Sequence, residues 1–238
     1  MTWLAVPGRL PGPVEILVVD DGSRDGTAGI VEGFAAWTAA RPAGPASGTP
    51  PSLRLLRNGV NRGKGYSLKH GVLEAAGTHL LLSDADFSTP IDDLPRLLGP
   101  VAAGACDIAI GSRALADSNV AVRQPLWRQT MGRTFNRIVR LLTGLPFRDT
   151  QCGFKVMRRE AAAPLFRAAR VERFAYDVEI LILARQAGLE VREIAVQWRD
   201  APGTKVHAVK DSLLMLRDVV WVLWRRRRGA YDRLEPSR

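Results

Sequence analysis

Cysteine is scarce in this chain. Its 238 residues hold two thiols, Cys106 and Cys152, far apart and in no CxxC pair. That excludes a zinc ribbon or a disulfide framework, and it points to reduced thiols in a cytosolic setting, with Cys106 expected to be packing. Long apolar runs are missing too. No window offers the ~20 uninterrupted apolar residues a transmembrane helix needs, so any membrane contact is expected to be peripheral. The opening residues 1–13 have neither a basic n-region before an apolar core nor a small-residue cleavage site, and are not read as a signal peptide. Acidic residues are in deficit, with 24 Asp and Glu against 34 Lys and Arg for a net charge of +10. Such a surplus calls for an anionic partner. Zinc-finger spacing and RRM signatures are absent, so nucleic acid is set aside, leaving phosphorylated substrates and lipid headgroups.

What is present begins with Leu80-Leu81-Leu82-Ser83-Asp84-Ala85-Asp86, an apolar run ending in a pair of carboxylates. It reads as a buried parallel strand that delivers Asp84 and Asp86 to its carboxyl end, where open α/β sheets bind ligands. Acids this close repel unless a cation lies between them, and hard ions such as Mg²⁺ or Mn²⁺ suit oxygen donors. A second acidic turn, Asp20-Asp21-Gly22-Ser23, follows the β-branched run at 14–19. Taken alone it is equally a turn with a helix N-cap. Together with Asp84 and Asp86 it becomes a candidate for holding a ribose or base.

Asn61-Arg62-Gly63-Lys64-Gly65 resembles a phosphate loop, yet Gly65 stands where Walker A needs Ser or Thr, and Leu68 where GxGxxG needs its third glycine. Neither an ATPase nor a dinucleotide enzyme is supported. Strands are expected at 14–19, 53–56, 80–82, 107–110 and 191–196. Helices are expected at 25–37, 66–76, 90–103 with Pro95 interrupting, 123–143 and 174–186, with a Pro/Gly-rich surface loop over 39–52. Alternating strands and helices imply right-handed βαβ crossovers in one α/β domain.

The ordered set Asp-Asp-Gly-Ser-x-Asp-Gly-Thr, Asn-x-Gly-x-Gly, Asp-x-Asp and Gly-Ser-Arg resembles the GT-A glycosyltransferases of family 2. Asp149-Thr150-Gln151-Cys152-Gly153-Phe154-Lys155, and Trp198 with Gly203-Thr204-Lys205, resemble its polyprenyl-phosphate branch, nearest the dolichyl-phosphate β-glucosyltransferase group. The resemblance runs over about 14–222 and implies a Rossmann-like, mostly parallel sheet flanked by helices. It implies Asp20, Asp21, Asn61, Gly63, Lys64 and Arg113 at the donor, and Asp84 and Asp86 at both metal and diphosphate. Gln151, Lys155, Trp198, Thr204 and Lys205 fall to the acceptor or phosphates. Asp177, in Phe174-Ala175-Tyr176-Asp177-Val178-Glu179, matches the segment that carries a base in relatives with hydroxyl acceptors; its bland reading is a helix cap. The implied partners are UDP-glucose and a polyprenyl phosphate, with Mg²⁺ or Mn²⁺. Related transferases using GDP-mannose or a UDP-amino sugar, and a non-catalytic membrane-associated paralogue, stay open. A dehalogenase-like phosphatase fits less well, because the other acidic pair lies upstream of Asp84 rather than downstream.

The family opens with a strand, loop and helix for which the thirteen residues before Val14 leave no room. The expectation is that this strand and part of the base pocket are missing, and that an extended chain would be more stable and bind donor more tightly. At the other end the domain at 1–211 gives way to 212–238, an apolar stretch with Trp221 and Trp224 followed by Arg225 to Arg228. It suits an amphipathic helix lying in a membrane surface, placed by the acceptor's lipid at the cytoplasmic face. A helix packed on the core with a solvated basic end is the competing reading.

Overall fold

β1 (Glu15–Asp20) and β2 (Ser52–Arg57) run parallel, in register from Glu15 opposite Ser52 to Asp20 opposite Arg57. The intervening α1 spans Thr27–Ala39, and Asp25 accepts from the Thr27 backbone N–H at its start. The computed structural model describes residues 13–40, 51–122, 126–199, 208–232 and 234, so most of the expected surface loop lies outside the described residues. α2 (Lys64–Glu74) follows β2 and leads to β3 (His79–Leu82).

After β3, a short 3₁₀ turn (Ile91–Asp93) enters α3 (Leu94–Ala102). Pro95 does not interrupt this helix. It sits in the first turn, where its missing N–H would have had no helical partner. β4 (Ile108–Ser112), β5 (Asn119–Val122), α4 (Leu126–Thr143), β6 (Lys155–Arg158), α5 (Arg159–Ala168), α6 (Tyr176–Gln186), β7 (Val191–Ala195), β8 (Gln197–Arg199) and α7 (Ala208–Arg227) complete the order.

The central sheet has the order β3-β6-β4-β7. β4 and β7 are parallel, while β6 runs antiparallel to both β3 and β4. This corrects the reading of the Asp84 strand: its ladder among the described residues is antiparallel, His79 facing Arg158 and Leu82 facing Lys155. The leucine run reports burial on both faces, and β3 has it although it ends this ladder: Leu80 and Leu82 join one core cluster and Leu81 packs against the other. A third sheet pairs β5 with β8 in parallel. Among the described residues no ladder joins β1 and β2 to the central sheet.

Strand periodicity divides the core in two. Ile108, Ile110 and Met157 face a large cluster that includes Phe135 and Val139 of α4, Leu165 and Phe166 of α5, much of α6, and Val219 and Val222 of α7. Ala109 and Val156 face the opposite cluster, with Leu94, Leu97 and Val101 of α3, Cys106, Cys152 and Phe154. Each fully buried Leu or Ile here contributes about 1.5–3 kcal/mol. Both cysteines are free and buried, Cys106 as the packing thiol expected of it. α6 is buried from Tyr176 through Ala184. It is apolar nearly all round, as a helix enclosed by its domain must be.

α7 does two things at once. Met215, Leu216, Val219, Val222 and Leu223 join the large core, whereas Leu213, Val220, Trp221 and Trp224 stay exposed. At 100° per residue the exposed set forms one stripe opposite the packed face. Of the two expectations, the helix packed on the core holds for one face, and the other face keeps apolar side chains outward.

Candidate active site

The first acidic turn is tied to the glycine loop. The Asp21 carboxylate accepts from the Gly63 N–H at 2.8 Å, the Arg62 N–H at 2.9 Å and the Asn58 side-chain amide at 2.8 Å. Burial alone would raise the Asp21 pKa, but these hydrogen bonds to its charged form outweigh that and lower it. Asp20 accepts from the Ser23 N–H at 3.0 Å and closes the turn. Gly22 lies against the backbone of Val60 and Asn61, where a Cβ would come within 2.8 Å. Asp21 therefore acts as the clasp of the Asn61 to Lys64 loop.

That loop is wedged from its other side. Gly63 has φ +103°, and a Cβ there would lie 2.6 Å from the Glu172 carbonyl oxygen. At Gly65 the corresponding distance is 2.4 Å, to the Val171 carbonyl oxygen. Only glycine permits both contacts. With the loop so fixed, Lys64 opens α2 and its Nζ reaches Asp84 Oδ1 at 2.5 Å, both side chains part-exposed. Burial opposes the charge on Lys64, but Asp177 and Asp84 outweigh it and raise the pKa above its ordinary value. The loop thus joins Asp21 to Asp84 and brings the two acidic turns into one site.

Asp84 is cradled by a glycine. A Cβ on Gly153 would fall 2.2 Å from Asp84 Oδ2, so the carboxylate lies directly on bare backbone. Asp86 is exposed and accepts from the Ser88 N–H at 2.9 Å. Phe87 between them takes φ +50°. Such a conformation costs a bulky residue about 1–2 kcal/mol. Among the described residues no three His, Cys, Asp or Glu side chains form a protein-only metal cage. Asp84 and Asp86 instead fit the donor set of an ion that takes one or two carboxylates from protein and its remaining oxygens from phosphate and water. The ammonium already drawn onto Asp84 shows that the carboxylate accepts a cation from its open side.

Behind Asp84 lies a buried ion pair. Lys155, on β6, contacts Asp177, at the start of α6, and also donates to the Cys152 carbonyl at 2.5 Å. Both charged side chains are almost wholly enclosed. Tyr176 is buried alongside, next to Asp177. Burial, and then the charges of Asp177 and Asp84, push its phenol well above the ordinary range. Glu179, one turn on, belongs to the frame: it accepts from the Arg170 and Val171 N–H groups and from the Tyr231 hydroxyl at 2.6 Å. This separates two acids that the sequence could not fully tell apart.

Arg113 follows β4 and forms a two-pronged pair with Asp149, Nε to Oδ2 at 2.7 Å and Nη2 to Oδ1 at 2.9 Å. Burial raises and the guanidinium lowers the Asp149 pKa, with a net lowering. Gln151 donates its N–H to Asp149 at 3.2 Å and its side-chain amide to Met215 Sδ, so it links this pair to α7. The Arg113 guanidinium also stands 5.5 Å from the Trp198 ring centre. Thr204 and Lys205 lie outside the described residues. Arg113, Gln151 and Trp198 thus form one group, and Asp21, Lys64 and Asp84 another.

Sequence reasoning missed three contributors. Asp149 stands in a motif that does not name Arg113 as its partner. Gly153 belongs to the same motif, and no spacing rule reveals that Asp84 rests on it. Tyr176 carried no signal beyond its place beside Asp177.

Comparison with known proteins places the chain in a family. The glycosyl transferase family 2 profile matches residues 7–166. A dolichyl-phosphate beta-glucosyltransferase of Dictyostelium discoideum is 34% identical over 215 residues, covering 89% of this chain and 63% of that protein. The one from Homo sapiens is 34% identical over 230 residues, covering 94% and 67%. The chain thus spans about two thirds of the length of these relatives. Mannosyl-3-phosphoglycerate synthase from Rubrobacter xylanophilus superposes with a TM-score of 0.61 at 19% identity, covering 91% of this chain and 65% of that one, a likeness of fold. Both acidic turns, the glycine loop and β6 fall within the matched profile, and on this ground the chain belongs to glycosyl transferase family 2, built on the GT-A fold.

Proposed function

We propose that the chain transfers glucose from UDP-glucose to a polyprenyl phosphate, with inversion at the sugar carbon. The names of the relatives support the sugar and the acceptor class. The observation that carries the reading is the Lys155 and Asp177 pair. The acid that would be a base for a hydroxyl acceptor is engaged by a buried ammonium. A phosphate acceptor needs no such base, because it is already an anion at neutral pH and requires positioning and charge neutralisation.

In this reading the glycine loop, clasped by Asp21, borders the donor, and Lys64 and Arg113 face the phosphates. Mg²⁺ or Mn²⁺ held by Asp84 and Asp86 would stabilise charge on the departing diphosphate. An acceptor phosphate oxygen bonds to the anomeric carbon as the bond to UDP breaks, and UDP leaves with the electron pair. A β-linked product from an α-linked donor requires attack from the opposite face. Asp149 keeps the Arg113 fork oriented, and Lys155 keeps Asp177 in place behind Asp84.

The outward stripe of α7 supports peripheral binding at the cytoplasmic face of a membrane, where a lipid-linked acceptor would lie. Arg225 and Arg228 stack on Trp221 and Trp224 at 4.7 and 4.0 Å. Each arginine near an anionic leaflet contributes about 1 kcal/mol. Among the described residues no helix is long and apolar enough to cross a membrane.

Calorimetric titration with UDP and GDP, with and without Mn²⁺, tests the donor assignment. UDP-selective binding that needs Mn²⁺ and is lost in Asp84→Ala is expected. Preference for GDP would overturn the donor, and binding indifferent to both Mn²⁺ and Asp84 would overturn the metal site.

A further inference from the structure

We propose that Lys64 is the resident counter-ion of Asp84, which a divalent metal must displace, and that the displaced ammonium then serves the donor phosphates. The inference rests on the reading of Asp84 as a metal carboxylate. Asp84 has one closed side, where its carboxylate lies on Gly153. On another side Lys64 Nζ stands 2.5 Å from Oδ1. A metal approaching this carboxylate shares the remaining open space with an ammonium of like charge.

The backbone cannot relieve that conflict. Gly63 and Gly65 are wedged against residues 171 and 172, and Asp21 holds the loop by two backbone N–H groups. Relief comes from the Lys64 side chain, which is part-exposed and carries its ammonium on a four-carbon stem of rotatable bonds. Charge balance gives the motion its direction. Lys64 with Asp84, and Lys155 with Asp177, form two neutral pairs, and Asp86 adds one negative charge, half of what a divalent ion brings. Adding a divalent ion leaves surplus positive charge, and an incoming diphosphate is the group that takes it up. Metal and nucleotide therefore bind with positive coupling, and Lys64 carries it: the ammonium weakens metal binding when alone and strengthens nucleotide binding when displaced.

The test is Mn²⁺ binding to the whole chain without nucleotide, read from the loss of the free-ion electron paramagnetic resonance signal. Lys64→Met and Lys64→Gln both remove the charge, and each is expected to bind Mn²⁺ about tenfold or more tightly, the scale of one unit charge facing a divalent ion at ion-pair distance. Lys64→Arg keeps the charge and should stay near wild type. The neutral variants should also bind UDP more weakly in saturating Mn²⁺, the opposite direction, which a general loss of structure would not produce. If both bind Mn²⁺ no better than wild type while Asp84→Asn abolishes binding, the counter-ion role is refuted and the metal reading stands. If Asp84→Asn binds Mn²⁺ as wild type does, the metal reading falls and takes this inference with it.

Discussion

Gly153→Ala isolates the placement of Asp84 from its chemistry. The added Cβ would lie 2.2 Å from Oδ2 and 2.6 Å from Cγ of Asp84, against ordinary contact beginning at 3.4 Å. The carboxylate must retreat by about 1.2 Å, the difference between 3.4 and 2.2 Å. It is part-exposed and can move without shifting the core, so the stability cost should stay within about 1–2 kcal/mol. Function should suffer far more, because a misplacement of about 1 Å in a reacting constellation costs roughly 100-fold in rate. The assay pairs a thermal melt with Mn²⁺-dependent UDP binding and sugar transfer. A near-normal melt with transfer reduced roughly 100-fold is expected. Normal transfer in a folded Gly153→Ala chain would show that the position of Asp84 against this backbone does not matter, and would refute the argument built on it.

Other perturbations separate frame from site. Lys155→Met leaves Asp177 buried without its partner and should cost about 3–5 kcal/mol in urea unfolding, whereas Lys155→Met with Asp177→Leu should recover much of that loss; a double variant no better than the single would show that the two are not coupled. Glu179→Gln removes a charged acceptor of backbone N–H groups and the Tyr231 hydroxyl, and should lower stability by about 1–3 kcal/mol, read as a shifted urea midpoint. Asp149 has a folded pKa below its ordinary 3.8. Its contribution is therefore present above that value and is lost as pH falls through the lower folded pKa. Asp149→Asn should be less stable than wild type near neutrality, with the gap narrowing as pH drops below about 4 in melts across pH; a gap constant with pH would refute the role of the charge.

Much of this was legible because it is local. The β-branched run before Asp20 and the leucine run before Asp84 marked two strands and their acidic turns, and the glycines at 63 and 65 marked a tight loop into α2. The missing parts are non-local. β6 is a four-residue strand that starts at the last residue of a motif, and its antiparallel insertion between β3 and β4 depends on partners 45 to 79 residues away. The contact of the Asp21 carboxylate with the backbone N–H groups of residues 62 and 63 spans 41 and 42 residues, and no local sequence rule shows it. The burial of Lys155 is hidden for the same reason: the resemblance sets it near the phosphates, and nothing local shows that it is enclosed with Asp177.

The most direct measurement compares two acceptors with UDP-glucose and Mn²⁺: a polyprenyl phosphate and the same polyprenol without its phosphate. Release of UDP and formation of a glucosylated lipid with the phosphate alone is the predicted result. Transfer to the free alcohol at a comparable rate would contradict the account, because it would require a base that the Lys155 and Asp177 pair does not offer.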